Sequence, residues 1–238
     1  MASVTCTKVF ILAFFIVIVM ASRRPDYFKR KVESENWSVE EINRKILSIR
    51  KLSYRIISII SFFTLARANE VCLLKWGDIR VKIYNDEMIF LFTLLVEHRH
   101  GNEGRKLYAQ IPLVPSKEGE FQPLLDELFR FLVQRRLQPP SPEDYVFGDP
   151  GVILKPIILG SGKPSFYFSS KLAKRYSRYM STIENISATQ FRYARASYLA
   201  HKKKVSLFAL RAFGRWKDWK TPMYYVGNPS VEELIKVL

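Results

Sequence analysis

A chain of 238 residues that is 48% hydrophobic carries ample apolar material for a packed core, as one large domain or as a small and a medium one. Its 38 Lys and Arg against 22 Asp and Glu leave a formal charge of +16, a field that favours polyanions such as nucleic acid or an anionic membrane surface. The two cysteines, Cys6 and Cys72, are too few and too far apart for a disulfide scaffold or a cysteine-ligated zinc site.

In chain order, the first feature is the unbroken apolar run VFILAFFIVIVMA at 9–21, preceded by Lys8 and followed by Ser22-Arg23-Arg24. It is short for a membrane span and matches the apolar region of a signal peptide. Three readings compete: a signal or anchor, a buried helix, or an extension ahead of a true start at Met20. A charged linker fills 26–36, so the chain divides into an N-terminal segment, 1–37, and a domain, 38–238. Ser38-Val39-Glu40-Glu41 is a capping box. It opens a helix on which Ile42, Ile46, Ile49, Leu52, Ile56, Ile59 and Phe63 recur at helical spacing as far as Thr64. A second helical pattern covers 69–74 and closes at Trp76-Gly77-Asp78.

Alternating or apolar runs at 80–84, 88–97 and 106–113 are separated by Asn85-Asp86 and by the polar stretch 100–104, and predict a small antiparallel sheet. An amphipathic helix follows at 121–136, with Leu124, Leu125, Leu128, Phe129 and Leu132 on its apolar side. Prolines and glycines mark 138–165 as a loop, interrupted by short apolar pieces at 145–147 and 152–159. Helices are expected at 169–181, 188–201 and 206–213, with a last one from Ser230, capped by Ser230 and Glu233. The fold class is therefore mixed α+β, mainly helical, with a small antiparallel β-sheet and no internal repeat. His98 and His100 form a close pair without a third ligand nearby, so no metal is expected, and the absence of a Walker-type Gly-rich loop gives no sign of a nucleotide cofactor.

Positive charge concentrates in 171–220, where thirteen Lys or Arg face only Glu184 and Asp218, with tyrosines and tryptophans interleaved. Such a surface neutralises phosphates and packs on sugars; its plain alternative is a solvated basic face.

Thr64-Leu65-Ala66-Arg67-Ala68-Asn69-Glu70-Val71, followed by Leu74-Lys75-Trp76-Gly77-Asp78-Ile79, resembles the first conserved box of the tyrosine recombinases, or phage-type integrases. There a Thr-Gly-x-Arg-x-Ser-Glu pattern precedes Leu-x-Trp-x-Asp. Thr189-Gln190-Phe191-Arg192 resembles the family's His-x-x-Arg box, and Phe213-Gly214-Arg215 its Leu-Gly-His turn. The family's nucleophilic tyrosine lies nine positions beyond that turn histidine, which here is Tyr224, and Thr221 keeps the threonine three residues before it. The resemblance covers about 38–238 and is closest in flavour to the divergent integrases of archaeal viruses and mobile elements. It implies a tyrosine recombinase catalytic domain without the arm-binding and core-binding domains of full-length relatives, either a fragment or a minimal recombinase.

The implied activity is DNA strand cleavage and rejoining through a 3′-phosphotyrosyl intermediate, without cofactor or metal, on double-stranded DNA and by self-associated protomers, dimeric or tetrameric. The residue types suit that chemistry independently. Arg67 and Arg192 are planar fork donors that hold two phosphate oxygens and stay charged; Arg215 would add a third donor, and Tyr224 would attack phosphorus. The general acid implied by the resemblance is a hairpin lysine. Of Arg99, Arg105 and Lys106, Lys106 is the one whose ammonium can give up a proton.

Two positions depart from the family: neither Thr189 nor Arg215 can act as a general base. His201, twelve positions from Thr189, is not expected to reach the site. Each site residue also has a plain structural alternative: Arg67 as a buried partner of Glu70, Arg192 as a surface arginine, and Tyr224 as a core aromatic beside Tyr225, the second candidate nucleophile. Glu70 and Asp78 are read as structural. Three other functions remain open: an impaired integrase that only binds DNA, a type IB topoisomerase-like relaxing enzyme, and a basic membrane-associated protein. A DNA-cleaving protein is expected in the cytoplasm, associated with DNA, with a membrane anchor at 9–21 the minor alternative, and a membrane partner is not expected.

Overall fold

The computed structural model of the chain describes residues 34, 36–96, 107–136, 140–158, 164–216 and 218–226. The apolar run at 9–21, the stretch carrying His98, His100 and Lys106, and the helix from Ser230 lie outside these residues.

Helix α1 (Val39–Leu47) starts where the capping box places it: Ser38 accepts from the Glu41 backbone N–H at 3.1 Å, Glu40 and Glu41 fill the first turn, and Arg44 and Lys45 the last. The helix then stops, contrary to the expectation of one helix reaching Thr64. The break at 48–51 keeps Ile49 fully buried, and the Arg55 Nε–H caps the Ile49 carbonyl at 2.9 Å. Apolar spacing runs on through the interruption because the connecting residue is itself a core residue, so periodicity alone could not reveal it.

Helix α2 (Leu52–Thr64) is buried on nearly every side and forms the axis of the domain. Two of its hydroxyls bond within the helix, Ser58 Oγ to the Tyr54 carbonyl at 2.9 Å and Thr64 Oγ1 to the Ile60 carbonyl at 2.6 Å. It ends at Leu65 in the left-handed region (φ 51), and the short helix α3 (Ala68–Cys72) follows. Asp78 closes the next turn by accepting from the Lys75 N–H at 2.9 Å, the structural role expected of it.

Strands β1 (Ile79–Tyr84), β2 (Glu87–Val96) and β3 (Leu107–Leu113) form an antiparallel sheet in sequence order, with Tyr84 paired to Glu87 and Phe92 to Ile111. Asn85 and Asp86 both take positive φ (49 and 61), as a tight two-residue hairpin demands. Phe90, Phe92, Leu94, Ile111 and Leu113 face the core, and Phe90 meets Phe129 of helix α4 (Gln122–Arg136).

The expected loop over 138–165 is corrected in its second half. Strands β4 (Val152–Ile158) and β5 (Pro164–Ser170) form a separate two-stranded hairpin. Pro156 and Pro164 suggested loop, but in a ribbon of two strands each strand is an edge and tolerates a residue without an N–H.

Four further helices follow among the described residues: α5 (Lys171–Thr182), capped by Ser170 Oγ accepting from the Ala173 N–H at 3.2 Å; α6 (Gln190–His201); α7 (Leu207–Gly214); and α8 (Lys220–Val226). Helix α6 is buried along most of its length and packs on α2, α7 and α8. Among the described residues no helix is long and apolar enough to cross a membrane.

Candidate active site

The site is built around one carboxylate. Glu70, in the first turn of α3, is 2% exposed. Its Oε2 accepts from the Arg67 backbone N–H and from Arg215 Nη2, both at 2.9 Å, and its Oε1 from Arg67 Nη1 at 3.3 Å. The left-handed turn at Leu65 puts Arg67 at the N-cap of α3, in extended conformation, rather than inside a helix. Of the three arginines Arg67 is the open one, its side chain 41% exposed.

Arg215 caps the end of α7 in the left-handed region (φ 54) and turns its side chain inward. Nη1 donates to the carbonyls of Thr64 at 3.0 Å and Phe213 at 3.2 Å, and Nη2 to the Leu65 carbonyl at 3.0 Å besides Glu70. The residue thus bonds the 213–215 turn to the 64–70 box. Burial lowers its pKa, and Glu70 opposes that shift.

Arg192, in the first turn of α6, is buried and not the surface arginine of the plain alternative. Its Nη2 donates to the Gly214 carbonyl at 2.8 Å, and its guanidinium lies 5.5 Å from the Trp216 ring centroid. Burial first, and then the charge of Arg67, hold its pKa down at about 10. Arg67, Glu70, Arg215 and Tyr225 are the charged or ionisable groups acting on it. Three arginines from three distant stretches of sequence therefore gather around one carboxylate, Arg67 and Arg215 bonded to it and Arg192 within its electrostatic reach, a cluster with excess positive charge.

The tyrosines divide. Tyr224 is 48% exposed on α8 and lines a cavity of about 640 Å³ with Trp37, Ser38, Ser197, His201 and Lys202. Arg67, Arg192 and Arg215 are not among the described residues lining it. Tyr225 is buried, reaches the same cavity, stacks on Trp216 with ring centroids 5.6 Å apart, and is an ionisable neighbour of Arg192. The structure thus brings the arginines together, and Trp216 lies between Arg192 and Tyr225, under the guanidinium of the one and stacked on the ring of the other. His201, set aside on sequence spacing, shares the Tyr224 cavity. Thr189 is exposed at the head of α6, its hydroxyl 3.0 Å from Ser187 Oγ. Lys106 lies outside the described residues.

Trp216 is a site residue the sequence motifs did not single out, and its signal is Gly214. A Cβ at position 214 would meet Trp216 ring atoms at 2.5–2.6 Å, so glycine is required by the close approach of the indole. Gly214→Ala is expected to displace Trp216 from Arg192 and cost about 1–3 kcal/mol, read by urea unfolding followed through tryptophan emission. Parental stability would mean the indole is not fixed there.

On the surface beside the site, Lys171, Lys174, Arg175 and Arg178 form an exposed cationic stripe on α5, opposite its buried face of Leu172, Ala173, Tyr176 and Met180.

No protein-family model matches this chain, and no curated protein does. Among solved structures it is similar to the XerH site-specific recombinase bound to difH substrate in a pre-cleavage complex, with a TM-score of 0.50 and 16% identity over 84% of this chain and 51% of that one. It is also similar to XerH on palindromic difH after cleavage (TM-score 0.47, 17% identity, 79% and 47% covered) and to FLP recombinase in a Holliday junction complex (TM-score 0.46, 14% identity, 100% and 55% covered). The chain spans about half the length of these solved recombinases. The pre-cleavage XerH complex carries the fold assignment: the chain has the tyrosine recombinase catalytic-domain fold that its sequence boxes imply.

Proposed function

We propose that this chain is the catalytic unit of a site-specific DNA recombinase. Supporting this most is the gathering of Arg67, Arg192 and Arg215 around Glu70 within that fold. Tyr224 Oη gives up its proton to solvent and attacks the scissile phosphorus, the bond to the 5′ oxygen breaks, Lys106 protonates that oxygen as the 5′-hydroxyl leaves, and solvent returns a proton to Lys106, so none is consumed overall. Arg67 and Arg192 hold the non-bridging oxygens as charge builds on them, and Arg215 fixes the cluster through Glu70. The phosphotyrosyl bond conserves the energy of the broken linkage, so a 5′-hydroxyl from another strand can reverse the attack on it. The α5 stripe neutralises backbone phosphates of the duplex. Strand exchange then needs several protomers on two DNA sites.

A pool of nicked suicide duplexes of randomised sequence tests this reading. The expected product is a denaturant-resistant protein–DNA adduct that maps to Tyr224 and disappears in Tyr224→Phe. To form it, Tyr224 must leave its cavity and reach the cluster. An adduct lost in Tyr225→Phe and kept in Tyr224→Phe would move the nucleophile one residue. DNA binding without any adduct would favour the second reading, an integrase remnant that only binds DNA, which the inward commitment of Arg215 and the lack of a base at Thr189 support.

A further inference from the structure

Helix α6 carries two buried arginines three residues apart, and the site accounts for one of them. Arg195, 2% exposed, is enclosed by the rings of Phe62 and Phe63 on α2, Phe121, and Tyr198, with ring centroids 5.3–5.8 Å from its guanidinium carbon. Both terminal nitrogens donate to Glu118, Nη1 to Oε2 at 2.8 Å and Nη2 to Oε1. Glu118 lies between the two short turns that follow β3. Two residues on, Glu120 accepts from Tyr198 Oη at 2.5 Å, and its backbone carbonyl accepts from Asn43 Nδ2 at 3.1 Å. The 118–120 segment is thereby clasped between α6 and α1.

A buried ion pair is a poor source of stability, because apolar residues of similar volume pack at least as well. It differs from apolar packing in directionality. Methyl groups slide past each other, whereas a two-pronged guanidinium–carboxylate pair accepts one geometry. Arg192 and Arg195 are about 4.5 Å apart along the helix axis and about 60° apart around it. Any slip or roll of α6 that moved Arg192 would break the Glu118 pair. A displacement of about 1 Å at a reacting group can cost about 10²-fold in rate.

We propose that Arg195 and Glu118 are positioning residues for DNA cleavage, a pin that fixes the height and rotation of α6 so that Arg192 meets the Gly214 carbonyl and the Arg67–Glu70 pair. The proposal rests on the cleavage reading above. It also ties the arginine cluster to the end of β3, the strand whose first residue directly follows Lys106.

The test is the double variant Arg195→Met/Glu118→Leu in the full chain, with three readouts. Urea stability is expected to match or exceed the parent, and DNA affinity to stay within about 2-fold, since the side chains of Arg195 and Glu118 are only 2% and 12% exposed. Single-turnover adduct formation is expected to fall at least about 30-fold, and the Arg192 guanidinium resonances in ¹⁵N-arginine spectra are expected to shift and broaden. Cleavage within about 3-fold of the parent, with those resonances unchanged, overturns the proposal. Should the double variant fail to fold, Arg195→Lys keeps the charge and removes the fork; a drop of about 3- to 10-fold is expected, and the parental rate overturns it. If the parent itself forms no adduct, the cleavage reading falls, and the Arg192 resonances alone decide whether the pin exists.

Discussion

Arg192→Met is expected to slow DNA cleavage by about 10²- to 10³-fold while leaving the domain as stable as the parent or more so. The guanidinium is buried, burial holds its pKa down at about 10, well below the ordinary arginine range, and the Glu70 carboxylate already serves Arg67 and Arg215. The sign follows from that depression. A base whose folded-state pKa is lowered is disfavoured in its protonated form by folding, so the cost is fully present below about pH 10 and is relieved as pH rises through that value. At neutral pH the charge opposes folding, and methionine removes it while keeping much of the packing. Urea unfolding at pH 7 beside single-turnover cleavage separates the two effects. A variant that lost more than about 3 kcal/mol would instead make Arg192 a structural residue, in the range found when a buried ion pair is broken.

Glu70→Leu is expected to act in the opposite sense, costing about 3–5 kcal/mol or preventing folding, because it leaves the buried Arg215 without its counter-charge and the Arg67 N–H without its acceptor. Removing the orphaned cation as well, in Glu70→Leu/Arg215→Met, should recover a large part of that loss. The double-mutant cycle gives the coupling directly. Additive losses in the cycle would show that the two residues stabilise the fold independently.

These two residues also show how far the sequence could be read. Resemblance to the family's first box singled out Arg67 and Glu70, and their three-residue spacing made the pairing legible, although the N-cap position of Arg67 came only with the structure. The turn at Asn85-Asp86 and the cap at Ser38 were legible because each is a local backbone requirement met by a side chain. The inward turn of Arg215 was not, since its acceptors at Thr64, Leu65 and Glu70 lie about 150 residues away in sequence. Nor could spacing tell Tyr224 from Tyr225. One residue on a helix changes direction by about 100°, which separates an exposed ring from one stacked on Trp216. The missed break at 48–51 and the missed hairpin at 152–170 have a common origin: burial and strand pairing overrode the local signals of periodicity and proline.

The left-handed ends of α2 and α7 have an electrostatic consequence for the cluster. The carbonyls that Arg215 bonds, at Thr64, Leu65 and Phe213, are the free C-terminal groups of two helices, and Arg192 bonds another at Gly214. Each helix end carries about half a negative charge. Two such ends together with Glu70 amount to about two negative charges against three guanidinium groups. The remainder is about one positive charge: the protein's own backbone dipoles trim the cluster to the charge that balances one monovalent anion, which is what a phosphodiester would bring on the proposed reading.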